Sequence, residues 1–255
     1  MTLFKNPNHL PNITVLCGAA GLLLRRCQYA FAVDTEGLLT PNHPFTILLT
    51  LFSVAFLAFL GIAVWRLDGS AKYEDNFAPS TRSMAGHMLA GWGIFLTVML
   101  NRAPMPGILG NAWNLLGLAS LPCLILAGIC RKNGKQPFFL LHLIPCLFLV
   151  FHIVNHYQTW SGNPQLQDDL YTVLGTMAAL FFAFYTTSFD VDLGKRRLQL
   201  FMGLSAVYLL MVSIPTTQYL FFCVGCACWA GSGLCRLIPV PKPIEEPTEG
   251  GGDSL

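Results

Sequence analysis

The chain has 255 residues, of which 54% are hydrophobic and only 11% charged, with a formal net charge of +2. A soluble domain carries about 25% charged residues, so a water-soluble enzyme is excluded and no nucleic-acid partner is expected. Lipid is the solvent for most of the surface, and any activity must sit among membrane helices or in short connections.

A helical span needs roughly 20 apolar residues. Eight such spans are predicted, over 12–33, 44–65, 83–101, 107–130, 137–157, 169–189, 198–214 and 218–238. The expected fold is therefore all-α: a polytopic membrane helix bundle over 1–238. Residues 239–255 are rich in Pro, Gly and acid without apolar periodicity and read as a disordered cytoplasmic tail.

The first apolar run is short, 13–24, and is followed by Arg25-Arg26 and Ala30-Phe31-Ala32. The run resembles the core of a signal peptide, but two arginines directly after it oppose export, so it is expected to remain as a span. About twelve residues at 1.5 Å rise carry the chain roughly 18 Å into a hydrocarbon core about 30 Å thick. Charges at that depth mark a partner or a function. Tyr29 lies on the Arg25 face of the same helix. Arg102, Asn114 and His156 are expected at the same outer level on spans three to five. Together, Arg25, Arg26, Tyr29, Arg102, Asn114 and His156 make a candidate ligand-binding set, because arginine grips phosphate or carboxylate with two prongs. The plainer reading is that the arginines snorkel to lipid phosphates or pair with Asp34 and Glu36. Asp34-x-Glu36 also resembles the acidic pair of lipid-linked sugar transferases, but a loop of about ten residues is too short to build their acceptor site.

Small residues mark helix contacts in lipid. They form stripes at Gly86, Ala90 and Gly93, at Gly110, Asn114 and Gly117, along Thr172, Gly175, Thr176, Ala179 and Ala183, and at Ala227 and Gly231. Pro122 and Pro145 fall inside spans and are expected to kink them. Cys223, Cys226 and Cys228 do not converge tetrahedrally on a helix, so the nine cysteines are read as packing residues. No internal repeat is evident.

The histidines suggest three arrangements. His152 and His156 lie one turn apart, a metal-ligand spacing. Ser83-x-x-x-His87 together with that pair resembles the alkaline ceramidase and progestin-receptor-like membrane hydrolases. Those proteins also need a buried Asp, and no span here contains one; the two histidine sets also lie at opposite depths. His87 and His142 share a depth and could hold a haem between them, though nothing else supports it. No cofactor, metal or catalytic residue is assigned. None of the thirteen Asp and Glu lies mid-span, so proton-coupled transport loses weight.

Leu23-Leu24-Arg25-Arg26, Gly37-Leu38-Leu39 and His43-Pro44 resemble the opening of an uncharacterised group of bacterial multi-pass membrane proteins. That resemblance covers about the first fifth of the chain. It implies a bacterial cytoplasmic (inner) membrane location and transfers no activity.

Of the fifteen Lys and Arg, only Arg25, Arg26 and Arg102 fall on one set of alternate loops; the other twelve fall on the opposite set. The positive-inside rule then puts both termini in the cytoplasm. The leading expectation is a protein that binds, senses or helps transport an anionic amphiphile or small anion from the outer side. The alternatives are a metal-assisted membrane hydrolase using His152 and His156, and a structural subunit bound to another membrane protein. The orientation is directly testable. With Asp168→Cys as the one reactive thiol, a membrane-impermeant maleimide should label from outside; labelling only from inside would invert the topology.

Overall fold

The structure is a computed structural model describing residues 9–33, 39–40, 42–65, 67, 69–101, 107–161, 166–235 and 237–238, with side chains from 158–168 left aside. It is all-helical, with no strand among the described residues beyond two isolated bridges. The helices are α1 (Leu10–Phe31), α2 (Pro44–Trp65), α3 (Tyr73–Asn76), α4 (Thr81–Leu100), α5 (Ile108–Lys132), α6 (Leu140–Ser161), α7 (Leu166–Phe189), α8 (Arg196–Ser213) and α9 (Leu220–Gly233). Five of them, α2, α4, α5, α6 and α7, are long and apolar enough to cross a membrane. α1 is interrupted by Arg25 and Arg26, α8 opens on Arg196 and Arg197, and α9 has only 14 residues. Leu16, Leu51, Ile62, Leu115 and Phe184 stand exposed, as lipid-facing side chains should. The chain is a multi-pass membrane protein.

Each predicted span finds a helix, and the differences are local. α3 is an extra turn in the connection after α2. α6 starts at Leu140 rather than 137 because Pro137 belongs to the turn leaving α5. That turn needs Gly134, whose φ of 68° is left-handed and whose added Cβ would sit 2.9 Å from Pro79. α9 stops at Gly233, short of the predicted 238. α5 and α6 run on through Pro122 and Pro145. The tail 239–255, Arg102, Asp34 and Glu36 lie outside the described residues.

α8 is the most enclosed helix, packed against α1, α2, α7 and α9, while α9 also lies along α4. The α4–α9 seam is a backbone contact. A Cβ on Gly93 would collide with the Phe221 carbonyl oxygen, and one on Gly86 with Ser232. A Cβ on Gly225 would lie 3.2 Å from the Cα atoms of Ala90 and Gly93. The predicted stripe on α4 is thus a real contact. On α9 the close approach is made by Gly225 and Ser232, not by Ala227 and Gly231; a Cβ on Gly231 would meet only Val207, at 3.5 Å. The α7 stripe also packs, with Gly175 against Leu210 of α8.

The ends of the bundle are distinct. Residues 69–80, 131–137, 189–199, 233–235 and 237–238 gather at one, the Asp190 end. Hydrogen bonds run there from Ser80 N to Arg131 O and from Gly194 N to Ala71 O, and Phe77 bridges to Leu237. The other is the Arg25 end. The α4–α9 seam predicts a sharp contrast between glycines. Gly93→Val should cost about 1–3 kcal/mol by overpacking, read as a lower unfolding midpoint in detergent. Gly61→Ala, whose Cβ would touch only Phe201 at 3.8 Å, should leave the midpoint unchanged.

Candidate functional site

Two polar constellations stand out, one at each end. At the first, Gly18 and Gly21 let α1 lie directly on α8: a Cβ on Gly21 would come within 2.7 Å of Val212 and 3.3 Å of the Tyr208 ring. That approach turns Arg25 inward, where it is 1% exposed. Its Nη1 donates to Gln28 Oε1 at 2.7 Å and its Nη2 to the Tyr29 hydroxyl at 3.4 Å. The guanidinium also lies 4.9 Å from the Tyr29 ring centre and 5.2 Å from that of Tyr171 on α7, within cation–π range. Gln28 Nε2 donates to Thr46 Oγ1 at 3.0 Å, tying α1 to α2.

Arg25 heads a groove of about 460 Å3 between α2 and α7. Its walls are aliphatic: Leu49, Val54, Leu57, Leu170, Leu174 and Leu209. Its polar floor is Ser53, whose hydroxyl lies 2.8 Å from that of Tyr208 and 3.1 Å from that of Tyr171. The volume falls within the roughly 300–1,000 Å3 of small-molecule sites. A cation with two aromatic faces above aliphatic walls suits an anionic head on an apolar tail.

The predicted ligand set divides. Arg25 and Tyr29 come together as expected, while Arg26 is exposed on the opposite side of α1. Asn114 and His156 belong to a different place. Asn114 is half-buried on α5, and His156 on α6 lies against Trp113, His152 and Tyr219, their ring centres 4.2–6.1 Å away. The reason is lateral: α1 packs on α2 and α8, whereas α5 packs on α4 and α6. Depth along the membrane gave these residues one level but not one side.

The His152–His156 pair is built as aromatic packing. Trp113 Nε1 donates to His152 Nδ1 at 3.2 Å, and His156 Nδ1 donates to the His152 carbonyl at 2.7 Å. No group of three His, Cys, Asp or Glu converges on a point among the described residues. All nine cysteines are free thiols.

The second constellation lies at the Asp190 end, and sequence reasoning missed its key member. His87 Nδ1 donates to the Ser83 carbonyl at 2.7 Å. With His87 neutral, its Nε2 accepts from His142 Nε2–H at 3.3 Å. His142 Nδ1 lies 2.6 Å from Asp190 Oδ2. One proton is left for that last contact: His142 is an imidazolium facing a carboxylate, or Asp190 is protonated and donates to a neutral ring. Both Asp190 and His142 are closed to solvent. A direct bond between the two imidazoles leaves no room for a haem plane between them. Asp190 lies outside the span, immediately after α7, yet its carboxylate is buried. Asp192 ends that turn in a left-handed conformation, φ 57°, and accepts from Tyr73 N at 2.9 Å, so the Asp190 side chain is directed back among the helices.

Trp229 of α9 stacks along His142, with ring centres 6.1 Å apart at 16°. Beside it is a cavity of about 20 Å3 reached by Tyr73, Arg131 and Gln199, room for a single water. Arg131 is buried over the Phe77 ring, 4.1 Å from its centre. Burial pushes the Tyr73 phenol pKa up, with the Arg131 charge pulling it back. Asp190 Oδ1, Gln199 Oε1 and Trp229 Nε1 have no hydrogen-bond partner among the described residues.

Comparison with protein-family models, with curated proteins and with solved structures finds no match. The functional reading therefore rests on geometry. Removing one partner of a buried hydrogen bond leaves the other unsatisfied, at a cost of about 1–3 kcal/mol and more where the partner is charged. Asp190→Ala should accordingly lower the unfolding midpoint in detergent far more than Asp75→Ala, an exposed acid bonded to Ser70. Equal effects would show that the histidine chain does not depend on its carboxylate.

Proposed function

We propose that this protein crosses the bacterial cytoplasmic membrane eight times, with both termini inside, and binds an anionic amphiphile from the outer side in a sensing or transport-accessory role. The orientation is supported by the uneven loop charge, the location by the resemblance of its first fifth. The binding role is carried by one observation: a buried arginine heads a groove with mostly aliphatic walls between α2 and α7. The site is smaller than the predicted set, with Arg25, Tyr29 and Tyr171 around the head and the leucines of α2 and α7 around the tail. Arg26, Asn114 and His156 have no part in it.

Charge-assisted hydrogen bonds contribute about 1.5–3 kcal/mol, roughly a tenfold to hundredfold change in affinity. Dodecyl phosphate titrated onto the detergent-extracted protein and followed by native mass spectrometry should bind with about that much less affinity to Arg25→Ala. Arg26→Ala should bind as the parent does. Val54→Trp, which fills the groove from an exposed position on α2, should abolish binding without touching the arginine. Undiminished binding to both Arg25→Ala and Val54→Trp would remove the proposal.

A further inference from the structure

The α2–α8 seam carries another groove, at its opposite end. It measures about 1,210 Å3 and runs between the last turns of α2 and the first turns of α8. Gly61, Val64, Phe201 and Met202 supply an apolar wall, while Lys195, Arg196 and Arg197 supply three consecutive cations at one end. Beyond Gly61 there is open space, since a Cβ there would reach only Phe201 at 3.8 Å.

Arg196 makes this more than a basic patch. It is 4% exposed, and neither its Nε nor its Nη1 has a hydrogen-bond partner among the described residues. An ionised group buried with idle donors is costly, and native structures keep one only where something accepts from it. The loop before it is pressed into place: a Cβ on Gly69 would lie 2.8 Å from Arg196 Cβ, and Gly194 N donates to Ala71 O at 3.1 Å. Arg196 also opens α8. No side chain caps this terminus and no acid lies in its first turn, so the free N–H groups and the helix dipole favour an anion at the same point. Trp65 stands 75% exposed at the end of α2, with the Arg197 guanidinium 5.9 Å from its ring centre. Tryptophan with arginine at a helix end is the usual furniture of a membrane interface.

We propose that this groove is a second lipid site, in which Arg196 and the first turn of α8 hold the phosphate of an anionic phospholipid from the adjoining leaflet, its acyl chain lying toward Gly61. Three consecutive cations match an anionic headgroup. The groove far exceeds a phosphate in volume, and its length is apolar, which selects a lipid over a free anion. The site is independent of Arg25 and of the reading drawn from it.

The test uses the full chain in phosphatidylcholine vesicles containing phosphatidylglycerol as the minor lipid, either one brominated on its acyl chains. The Trp65 signal is taken as the difference between the parent and Trp65→Phe. Brominated phosphatidylglycerol should quench Trp65 severalfold more, per mole of lipid, than brominated phosphatidylcholine. Arg196→Gln should remove that excess, and Gly61→Leu, which fills the apolar part and leaves the cations in place, should reduce it. Lys132→Gln, an exposed cation at the same end of the bundle, should retain it. Equal quenching by the two lipids overturns the proposal, as does an excess that survives both Arg196→Gln and Gly61→Leu. Loss of the excess on adding inorganic phosphate also overturns it, since the site would then belong to a free anion.

Discussion

The architecture depends on backbone-to-backbone contact at small residues. In lipid, apolar side chains gain nothing by leaving solvent for a neighbouring helix, so association comes from close packing and polar contact. Gly93 and Gly225 bring α4 and α9 to contact at the main chain, and Gly18 and Gly21 seat α1 on the Met211, Val212 and Tyr208 side chains of α8. α8 is consequently enclosed on several sides although its first turn is charged.

The two ends solve the same problem differently. Lipid supplies no hydrogen bonds, so an inward polar group must find its partner within the protein. At the Arg25 end the partners are Gln28, Tyr29 and the faces of Tyr29 and Tyr171, an arrangement that leaves an aliphatic groove open below the charge. At the Asp190 end a chain of four groups, Ser83, His87, His142 and Asp190, runs beside Trp229. The first leaves a groove of about 460 Å3. The second has room for one water, and its fixed geometry clamps α4, α6 and the end of α7 together.

Much of this was legible in the sequence. Apolar run length located every long helix, and the glycine stripe on α4 identified a true seam. The depth of Arg25 singled out a residue that is buried at the head of a groove. What was not legible was azimuth. Arg25 and His156 share a level by helix rise, yet α1 and α6 belong to different parts of the bundle, a fact of helix order that the chain does not spell out. Asp190 was assigned to a loop by position, and its inward turn depends on the left-handed Asp192 and on Tyr73, more than a hundred residues away. His87 and His142 were paired correctly by depth, but their direct bond, which excludes a haem, needed coordinates.

The proposed function turns on Arg25 as the head of a binding groove. The most direct measurement is a crystal structure grown from a lipid mesophase containing an alkyl phosphate brominated at its tail. An anomalous bromine peak is expected between α2 and α7, with the phosphate against Arg25. A well-ordered groove without bromine, or a phosphate held elsewhere with Arg25 still closed on Gln28 and Tyr29, would contradict it.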